Sequence, residues 1–123
     1  MSCPFCVGVI PYMESDLSYA KYDLFPVSKG HTLVIPRRHF SSYFESTAEE
    51  KADLWQLVDD VKNEIQINFS PDGFNVGIND GEAAGQTVFH SHIHIIPRYQ
   101  SDVTDPTGGV RGVIPSEQKY SLL

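Results

Sequence analysis

The chain has 123 residues, of which 41% are hydrophobic, so one folded domain with a real core is expected. Its formal net charge of −7 argues against a protein that wraps DNA or RNA, because that affinity comes largely from neutralising phosphates. No apolar run approaches the roughly 20 residues of a membrane span, and the N-terminus does not have the pattern of a signal peptide, so a cytoplasmic location is expected.

The first half of the chain predicts two short strands and one helix. The strands are residues 17–23 ("LSYAKYD") and residues 31–36 ("HTLVIP"), with a turn containing Pro, Ser and Gly between them. Residues 44–69 form the predicted helix, which Ser46 and Glu49 would cap. Apolar side chains recur along it at helical spacing, namely Leu54, Leu57, Val58, Val61 and Ile65.

The second half predicts two further strands, residues 73–79 ("GFNVGIN") and residues 87–97 ("TVFHSHIHIIP"). Residues 101–123 form a polar tail that contains Pro and Gly and is expected to lie over the surface. One helix among four or more strands indicates an α+β fold with an antiparallel sheet. We therefore expect a single domain over residues 1–123, with residues 1–100 as its core.

Three of the five histidines stand in the segment "HSHIHIIPR", residues 90–98. In a strand, alternate side chains share a face, so His90, His92 and His94 should point the same way. Two histidines at this spacing can hold a zinc ion with an open coordination position. One imidazole can instead attack an electrophile and form a covalent intermediate. A half-exposed strand whose polar face happens to be histidine is the third interpretation.

The loop "NDGEAAGQT", residues 79–87, favours chemistry at phosphorus. Its small residues and backbone N–H groups can approach an anion closely, and the amides of Asn79 and Gln86 can bond its oxygens. It is not a phosphate loop of the GxxxxGK[ST] kind, because no lysine follows. The carboxylates that commonly complete a catalytic zinc site are not obvious beside the histidines.

These segments resemble the histidine-triad (HIT) family of nucleotide-binding proteins. "GQTVFHSHIHIIPR" is similar to its His-x-His-x-His pattern, "DLFPVSKGHTLVIPRRH" to its upstream strand pair and "VGINDGEAAGQ" to its phosphate-side loop. The resemblance implies a five-stranded antiparallel sheet with one long and one short helix, and a homodimer. It also implies an enzyme that hydrolyses or transfers nucleotides at the α-phosphate, with dinucleoside polyphosphates or adenosine phosphoramidates as substrates. The expected substrate is a purine nucleotide, with adenosine as the expected nucleoside.

The resemblance also implies roles for single residues. His92, the middle histidine, would be the nucleophile, its other nitrogen fixed by a backbone carbonyl of the adjoining strand. Asp23 would hold the ribose hydroxyls, and His31 would stand at the edge of the site. The family's phosphate-contacting positions correspond to Asn79, Gln86, Thr87 and His94. Pocket walls that can stack on a purine are Tyr22, Leu24 and Phe25.

The segment "CPFC", residues 3–6, allows three interpretations. Redox motifs of the Cys-x-x-Cys kind follow a strand and open a helix, which this position does not favour. Half of a zinc site or unpaired thiols are the alternatives. The resemblance adds the other half, because some HIT members pair such cysteines with a histidine after the "VIP" strand and with the first triad histidine. A structural zinc ion on Cys3, Cys6, His39 and His90 is therefore expected, with no organic cofactor.

Two functions of other classes remain open from the sequence. One is a binding protein that senses nucleotides with negligible turnover. The other is a metal-dependent hydrolase that uses the histidines as ligands, which the long predicted helix disfavours.

Overall fold

A computed structural model describes residues 2–122 and contains one antiparallel sheet and one long helix. In chain order its elements are β1 (Met13–Glu14), β2 (Ser18–Tyr22), β3 (Thr32–Pro36), α1 (Ala48–Phe69), β4 (Gly73–Gly77) and β5 (Ile93–Arg98). The strand order in the sheet is β1-β2-β3-β5-β4, and every neighbouring pair is antiparallel. Within residues 2–122, the other helices are four 3₁₀ helices of three or five residues. The predicted α+β fold, a five-stranded antiparallel sheet with one main helix, is confirmed.

Helix α1 covers one face of the sheet and leaves the other face for the pocket described below. The main core joins Leu54, Leu57, Val58, Val61 and Ile65 of α1 to Ala20, Val34, Ile93 and Ile95 of the sheet. Because side chains alternate along a strand, Leu33, Ile35 and His94 face away from the helix. On that side Leu33 and Ile35 pack with Phe5 and Tyr19. No helix in residues 2–122 is long and apolar enough to cross a membrane.

The start of α1 differs from the prediction by one residue. Thr47 is the N-cap, and its side chain accepts a hydrogen bond from the backbone N–H of Glu50. The Glu50 carboxylate in turn accepts a hydrogen bond from the backbone N–H of Thr47. The predicted pair Ser46 and Glu49 has the same spacing, so both fit a capping box. Glu50 takes the position because its buried carboxylate also pairs with Arg38, through two hydrogen bonds of 2.8 and 3.0 Å.

The last strand is shorter than predicted. β5 begins at Ile93, and residues 87–92 do not join a ladder. In this stretch the Ser91 N–H donates to the carbonyl of Phe40 at 2.7 Å, so this backbone group finds its hydrogen-bond partner outside the sheet. The prediction that three histidines share one strand face is therefore wrong, because of the three only His94 lies in the strand.

The tail lies over the surface, as expected from its composition. Most of residues 101–122 are exposed, and the 3₁₀ helix Gly109–Val113 contacts β4. Arg98, at the end of β5, joins the tail to the sheet by pairing with Asp102 at 2.8 Å and donating to the amide of Asn75 at 2.6 Å. The tail is thus held beside β4, away from α1.

Candidate active site and adjoining metal cluster

A pocket of about 530 Å³ lies on the sheet face opposite α1. His92 and His94 line it together with Asp23, Asn79, Gln86 and Thr87, so six of the residues singled out in the sequence surround one cavity. The pocket is also large enough for a small organic ligand. His31 and the cysteines do not line it, and they form the supporting groups described below.

The register of the sheet separates two sides of the pocket. Lys21 on β2 pairs with Leu33 on β3, and Leu33 pairs with His94 on β5. Two strand spacings therefore separate Lys21 from His94, about 10 Å between backbones. Asn79, Gln86 and Thr87 belong to the connection between β4 and β5. The polar, phosphate-binding candidates thus lie on the β5 side and Lys21 on the β2 side. Asp23, just after β2, lies between them, with its carboxylate within 4.8 Å of a ring nitrogen of His94.

The ring of His92 has a defined tautomer. Its Nδ1 lies 2.8 Å from the carbonyl oxygen of His90, and since a carbonyl only accepts, Nδ1 carries the proton. The lone pair is then on Nε2, and His92 lines the pocket with 8% of its surface exposed. The expected kind of acceptor is present, but it comes from two residues earlier and not from the adjoining strand.

A chain of hydrogen bonds gives His94 the opposite tautomer. The backbone N–H of Val27 donates to Nδ1 of His31 at 3.1 Å, so the proton of a neutral His31 is on Nε2. That Nε2 lies 3.0 Å from Nδ1 of His94 and donates to it. His94 therefore carries its proton on Nε2 and can donate it to a ligand oxygen. The two neighbouring imidazoles of the pocket, whose centroids are 5.0 Å apart, are thus one acceptor and one donor.

Burial disfavours the charged forms of His94 and His31. It lowers the pKa of His94 to about 4, with smaller contributions from the neighbouring His92 and His31. It also lowers the pKa of His31, against the opposing effect of Asp23, whose carboxylate lies 3.4 Å from Nε2. His31 was expected at the edge of the site; it lies behind His94 with 3% of its surface exposed and supports that ring.

Asp23, His31 and His94 also have donor atoms close enough to hold a metal ion. The hydrogen bonds argue against that use. A neutral His31 that accepts the Val27 N–H at Nδ1 carries its proton at Nε2, so the nitrogen facing the other two groups has no free lone pair. These three residues therefore form a hydrogen-bonded chain and do not fit a metal site.

The phosphate-side loop differs from the prediction at Gln86. Its side-chain oxygen accepts the Gly81 N–H at 2.8 Å, and its amide nitrogen donates to the carbonyls of Ser41 at 2.8 Å and Val88 at 3.2 Å. With its amide committed to the backbone, Gln86 shapes the loop and does not offer that amide to a phosphate. Gly81 has φ +96°, a conformation that favours glycine, which allows the loop to turn here.

The β2 side of the pocket contains apolar walls, of which the sequence identified two. Leu24 and Phe25 line the pocket, but Tyr22 does not, because it stacks on Tyr12 with centroids 4.3 Å apart. Alternation along β2 explains this, since Lys21 and Asp23 face the pocket and the residue between them faces away. Sequence reasoning missed Lys21 and Phe5, and the alternation from Asp23 was the available signal for Lys21.

A second cluster lies beside the pocket and joins the N-terminal segment to the sheet. The side chains of Cys3, Cys6, His39 and His90 come together, as the sequence interpretation required. Nδ1 of His90 lies 3.5 Å from both sulfur atoms and 3.1 Å from Nδ1 of His39, which lies 3.3 Å from the Cys6 sulfur. A tetrahedral site with Zn–S and Zn–N bonds of about 2.3 and 2.0 Å separates its ligand atoms by about 3.3 to 3.8 Å.

The protonation of this cluster also fits a metal ion. His90 donates from Nε2 to the carbonyl of Pro36 at 2.7 Å, so its lone pair is on the nitrogen that faces the cysteines. Burial lowers the pKa of His90, which keeps that lone pair available. The carbonyl bond is the outer-shell contact that orients metal-binding histidines in proteins. Unlike the Asp23 group, these four residues bring two cysteine sulfurs, the free nitrogen of His90 and Nδ1 of His39 together at one point.

The pocket and the cluster share His90 and the Cys-x-x-Cys turn. The ring of His90 belongs to the cluster, and its carbonyl holds His92. Phe5, between the two cysteines, packs edge-on against His92 with centroids 5.1 Å apart and lines the pocket. Displacing the turn would therefore disturb the ring of His92.

The sequence matches the HIT domain over residues 11–101. The protein hit of Bacillus subtilis (strain 168) is 42% identical over 104 residues, covering 80% of this chain and 72% of that protein. The bis(5'-adenosyl)-triphosphatase of Dictyostelium discoideum is 42% identical over 91 residues, covering 74% of this chain and 61% of that protein. The crystal structure of a Zn-bound histidine triad family protein from Mycobacterium smegmatis superimposes with a TM-score of 0.76 at 33% identity, covering 85% and 80% of the two chains.

This chain therefore belongs to the HIT family. The match includes the sheet, α1 and the histidines of residues 90–94, and with them most of the residues that line the pocket.

Proposed function

We propose that this protein is an enzyme that cleaves nucleotides at the α-phosphate through a nucleotide covalently attached to His92. The observation that carries the proposal is the bond from His92 Nδ1 to the His90 carbonyl, which leaves the lone pair on Nε2. A neutral imidazole with a free lone pair is a nucleophile near pH 7 and needs no further base.

The reaction needs two displacements at phosphorus. Nε2 of His92 attacks the α-phosphorus, the bond from phosphorus to the leaving group breaks, and the leaving group takes up a proton. Water then attacks the nucleotidyl-histidine, releases the nucleoside monophosphate and restores His92. The N–H of His94 donates to a phosphoryl oxygen, where charge-stabilising donors are most effective. Asn79 and Thr87 line the same side of the pocket.

The remaining groups suit a purine nucleotide. Asp23 is half-buried just after β2, where its carboxylate can accept bonds from ribose hydroxyls, and Leu24 and Phe25 offer apolar walls to the base. The name of the Dictyostelium relative, a bis(5'-adenosyl)-triphosphatase, supports dinucleoside polyphosphates as one substrate class. Nucleoside phosphoramidates present the same α-phosphate and are the second class.

We also propose that the second cluster binds a structural zinc ion through Cys3, Cys6, His39 and His90. The ligand spacing and the free nitrogen of His90 support this, as does the Zn-bound relative from Mycobacterium smegmatis. When bound, the ion would hold the N-terminal turn against the sheet without taking part in the chemistry at phosphorus.

The proposed protein is a single domain that acts as a homodimer in the cytoplasm. β4 is an edge strand of the sheet, and edge strands offer unpaired backbone groups for symmetric association. Free Cys3 and Cys6 are consistent with a reducing compartment.

A substrate panel with trapping of the intermediate tests the proposal. Dinucleoside polyphosphates and adenosine phosphoramidate are assayed side by side for release of nucleoside monophosphate, and reactions are quenched early for mass spectrometry. A nucleotidyl adduct on the peptide containing residues 90–98 is expected, and it should be absent from His92→Asn. Stoichiometric AMP binding without turnover of any substrate would instead indicate a nucleotide sensor, and an adduct on His31 or His94 would move the nucleophile.

A further inference from the structure

Lys21 places a cation in the pocket. Its side chain is half-buried and lines the pocket, and its ammonium lies 5.8 Å from the centre of the Phe5 ring. Within residues 2–122 its nitrogen makes no hydrogen bond or ion pair. An ammonium group has three donors and no acceptor, so a ligand oxygen or nitrogen would satisfy it.

The sheet register places this cation away from the phosphate. His94 stands two strands from Lys21, with Leu33 between them, and the loop carrying Asn79 and Thr87 lies beyond His94. Asp23, the ribose candidate, follows Lys21 by two residues on the same side of β2. A nucleotide whose phosphate meets His94 and whose ribose meets Asp23 therefore extends its base along the β2 side, among Phe5, Leu24 and Lys21.

We propose that Lys21 selects the base, favouring 6-oxopurines (guanine or hypoxanthine) over adenine; this inference rests on the proposed function. The 6-oxo group and N7 of these bases form an edge with two acceptors, which an ammonium can bond. Adenine keeps the N7 acceptor but presents a 6-amino donor in place of the oxo group, so the ammonium loses one of its two acceptors and faces a donor there. The stem of Lys21 would still cover the base through its methylene groups.

Calorimetric titration of AMP, GMP and IMP tests this inference. The unmodified protein should bind IMP and GMP about tenfold more tightly than AMP, the effect of one charge-assisted hydrogen bond at a partly exposed site. Lys21→Met keeps the length of the side chain and removes the charge, so it should abolish the preference by weakening IMP and GMP more than AMP. Lys21→Arg should retain the preference in part. Lys62→Met removes the same charge from an exposed position of α1 and is the control.

The possible outcomes separate this inference from the proposed function. Equal weakening of all three nucleotides in Lys21→Met would show that the ammonium serves the phosphate, and this would overturn the base assignment. Unchanged affinities in Lys21→Met would show that Lys21 does not contact the ligand, and this would also overturn the base assignment. Binding of all three nucleotides with equal affinity would leave the proposed function intact and reject only the role of Lys21. No binding of any nucleotide would reject both.

Discussion

Nε2 of His31 donates a hydrogen bond to Nδ1 of His94 over 3.0 Å, and the backbone of Val27 fixes the direction of that bond. A buried histidine thus determines which nitrogen of a pocket histidine carries the proton. His92 and His94 are the same residue type two positions apart. Their roles differ because their hydrogen-bond partners differ.

The first prediction concerns the state of His94 itself. At pH 7 its ring should be neutral with the proton on Nε2, whereas His92 should carry its proton on Nδ1 when neutral. Since burial lowers the pKa of His94 to about 4, its ring should charge only as the pH falls to about that value. Two-dimensional ¹⁵N–¹H correlation spectra of the imidazoles distinguish the tautomers. A proton on Nδ1 of His94, or a midpoint near 6.5, would contradict the hydrogen-bonded chain.

The second prediction compares the two pocket histidines in the rate of the chemical step. His92→Asn should lower it by several orders of magnitude while nucleotide binding survives, because the variant removes the attacking nitrogen and with it the whole pathway. His94→Ala should cost on the order of 10²- to 10³-fold, as for the loss of one charge-stabilising donor. Single-turnover kinetics measures both. If His92→Asn retained the normal rate, another group would have to be the nucleophile.

The third prediction concerns ribose binding by Asp23. One of its oxygens accepts the Phe25 N–H at 2.9 Å, and the carboxylate is mostly buried beside His31. A charge-assisted hydrogen bond contributes about 1.5 to 3 kcal/mol, so Asp23→Ala should raise the dissociation constant for AMP by roughly 10- to 150-fold. Calorimetry measures the change, with Asp16→Ala, an exposed position, as the matched control. Equal affinities in wild type and Asp23→Ala would indicate that Asp23 serves only the turn.

The fourth prediction concerns the metal. Protein purified without chelator should contain about one zinc ion per chain by elemental analysis, and Cys3→Ser should lose zinc and unfold at a lower temperature. His31→Asn is the control, and it should keep its zinc, because the group around His31 does not fit a metal ion. Zinc retained by a variant lacking both Cys3 and Cys6 would place the ion elsewhere.

The fifth prediction concerns stability in acid. The hydrogen bond from Arg38 lowers the pKa of Glu50 from 4.5 to about 2 in the folded state. A carboxyl whose pKa is lower in the folded than in the unfolded state stabilises the protein above the unfolded value and loses that effect as the pH falls. The difference in unfolding free energy between wild type and Glu50→Gln should therefore shrink from pH 4.5 to about pH 2. Denaturant titrations measure it, with the exposed neighbouring substitution Glu49→Gln as control. A constant difference would contradict the lowered pKa.

Local sequence patterns predicted those elements that local chemistry determines. Helix α1 follows from apolar spacing, and β2 and β3 from short strand-forming segments between turn residues, so their positions agree with the structure to within a few residues. The members of the cysteine–histidine cluster were also predictable, because Cys-x-x-Cys read as half of a zinc site needs two further ligands. The resemblance to a known family supplied the histidines that complete it.

Tertiary contacts determined what the sequence patterns missed. Periodicity extended β5 back to Thr87, but the Ser91 N–H bonds Phe40, and the strand begins only at Ile93. Gln86 looked like a phosphate ligand because its type is right, and only its three backbone partners show that its amide is used. The choice between Ser46 and Thr47 as the N-cap depended on Arg38, which bonds Glu50 but lies outside the helical segment of the sequence.

His90 connects the cysteines to His92, and this connection affects how experiments with thiol reagents are interpreted. Cys6 is exposed and accessible to alkylating agents or mild oxidants, yet neither cysteine sulfur lines the pocket. Modification of Cys6 would disturb the ring of His90, whose carbonyl orients the catalytic candidate His92. Inactivation by such a reagent would therefore not identify a cysteine nucleophile. Protection by bound nucleotide would not identify one either, because the nucleotide would contact His92 while the thiols contact His90, two residues earlier.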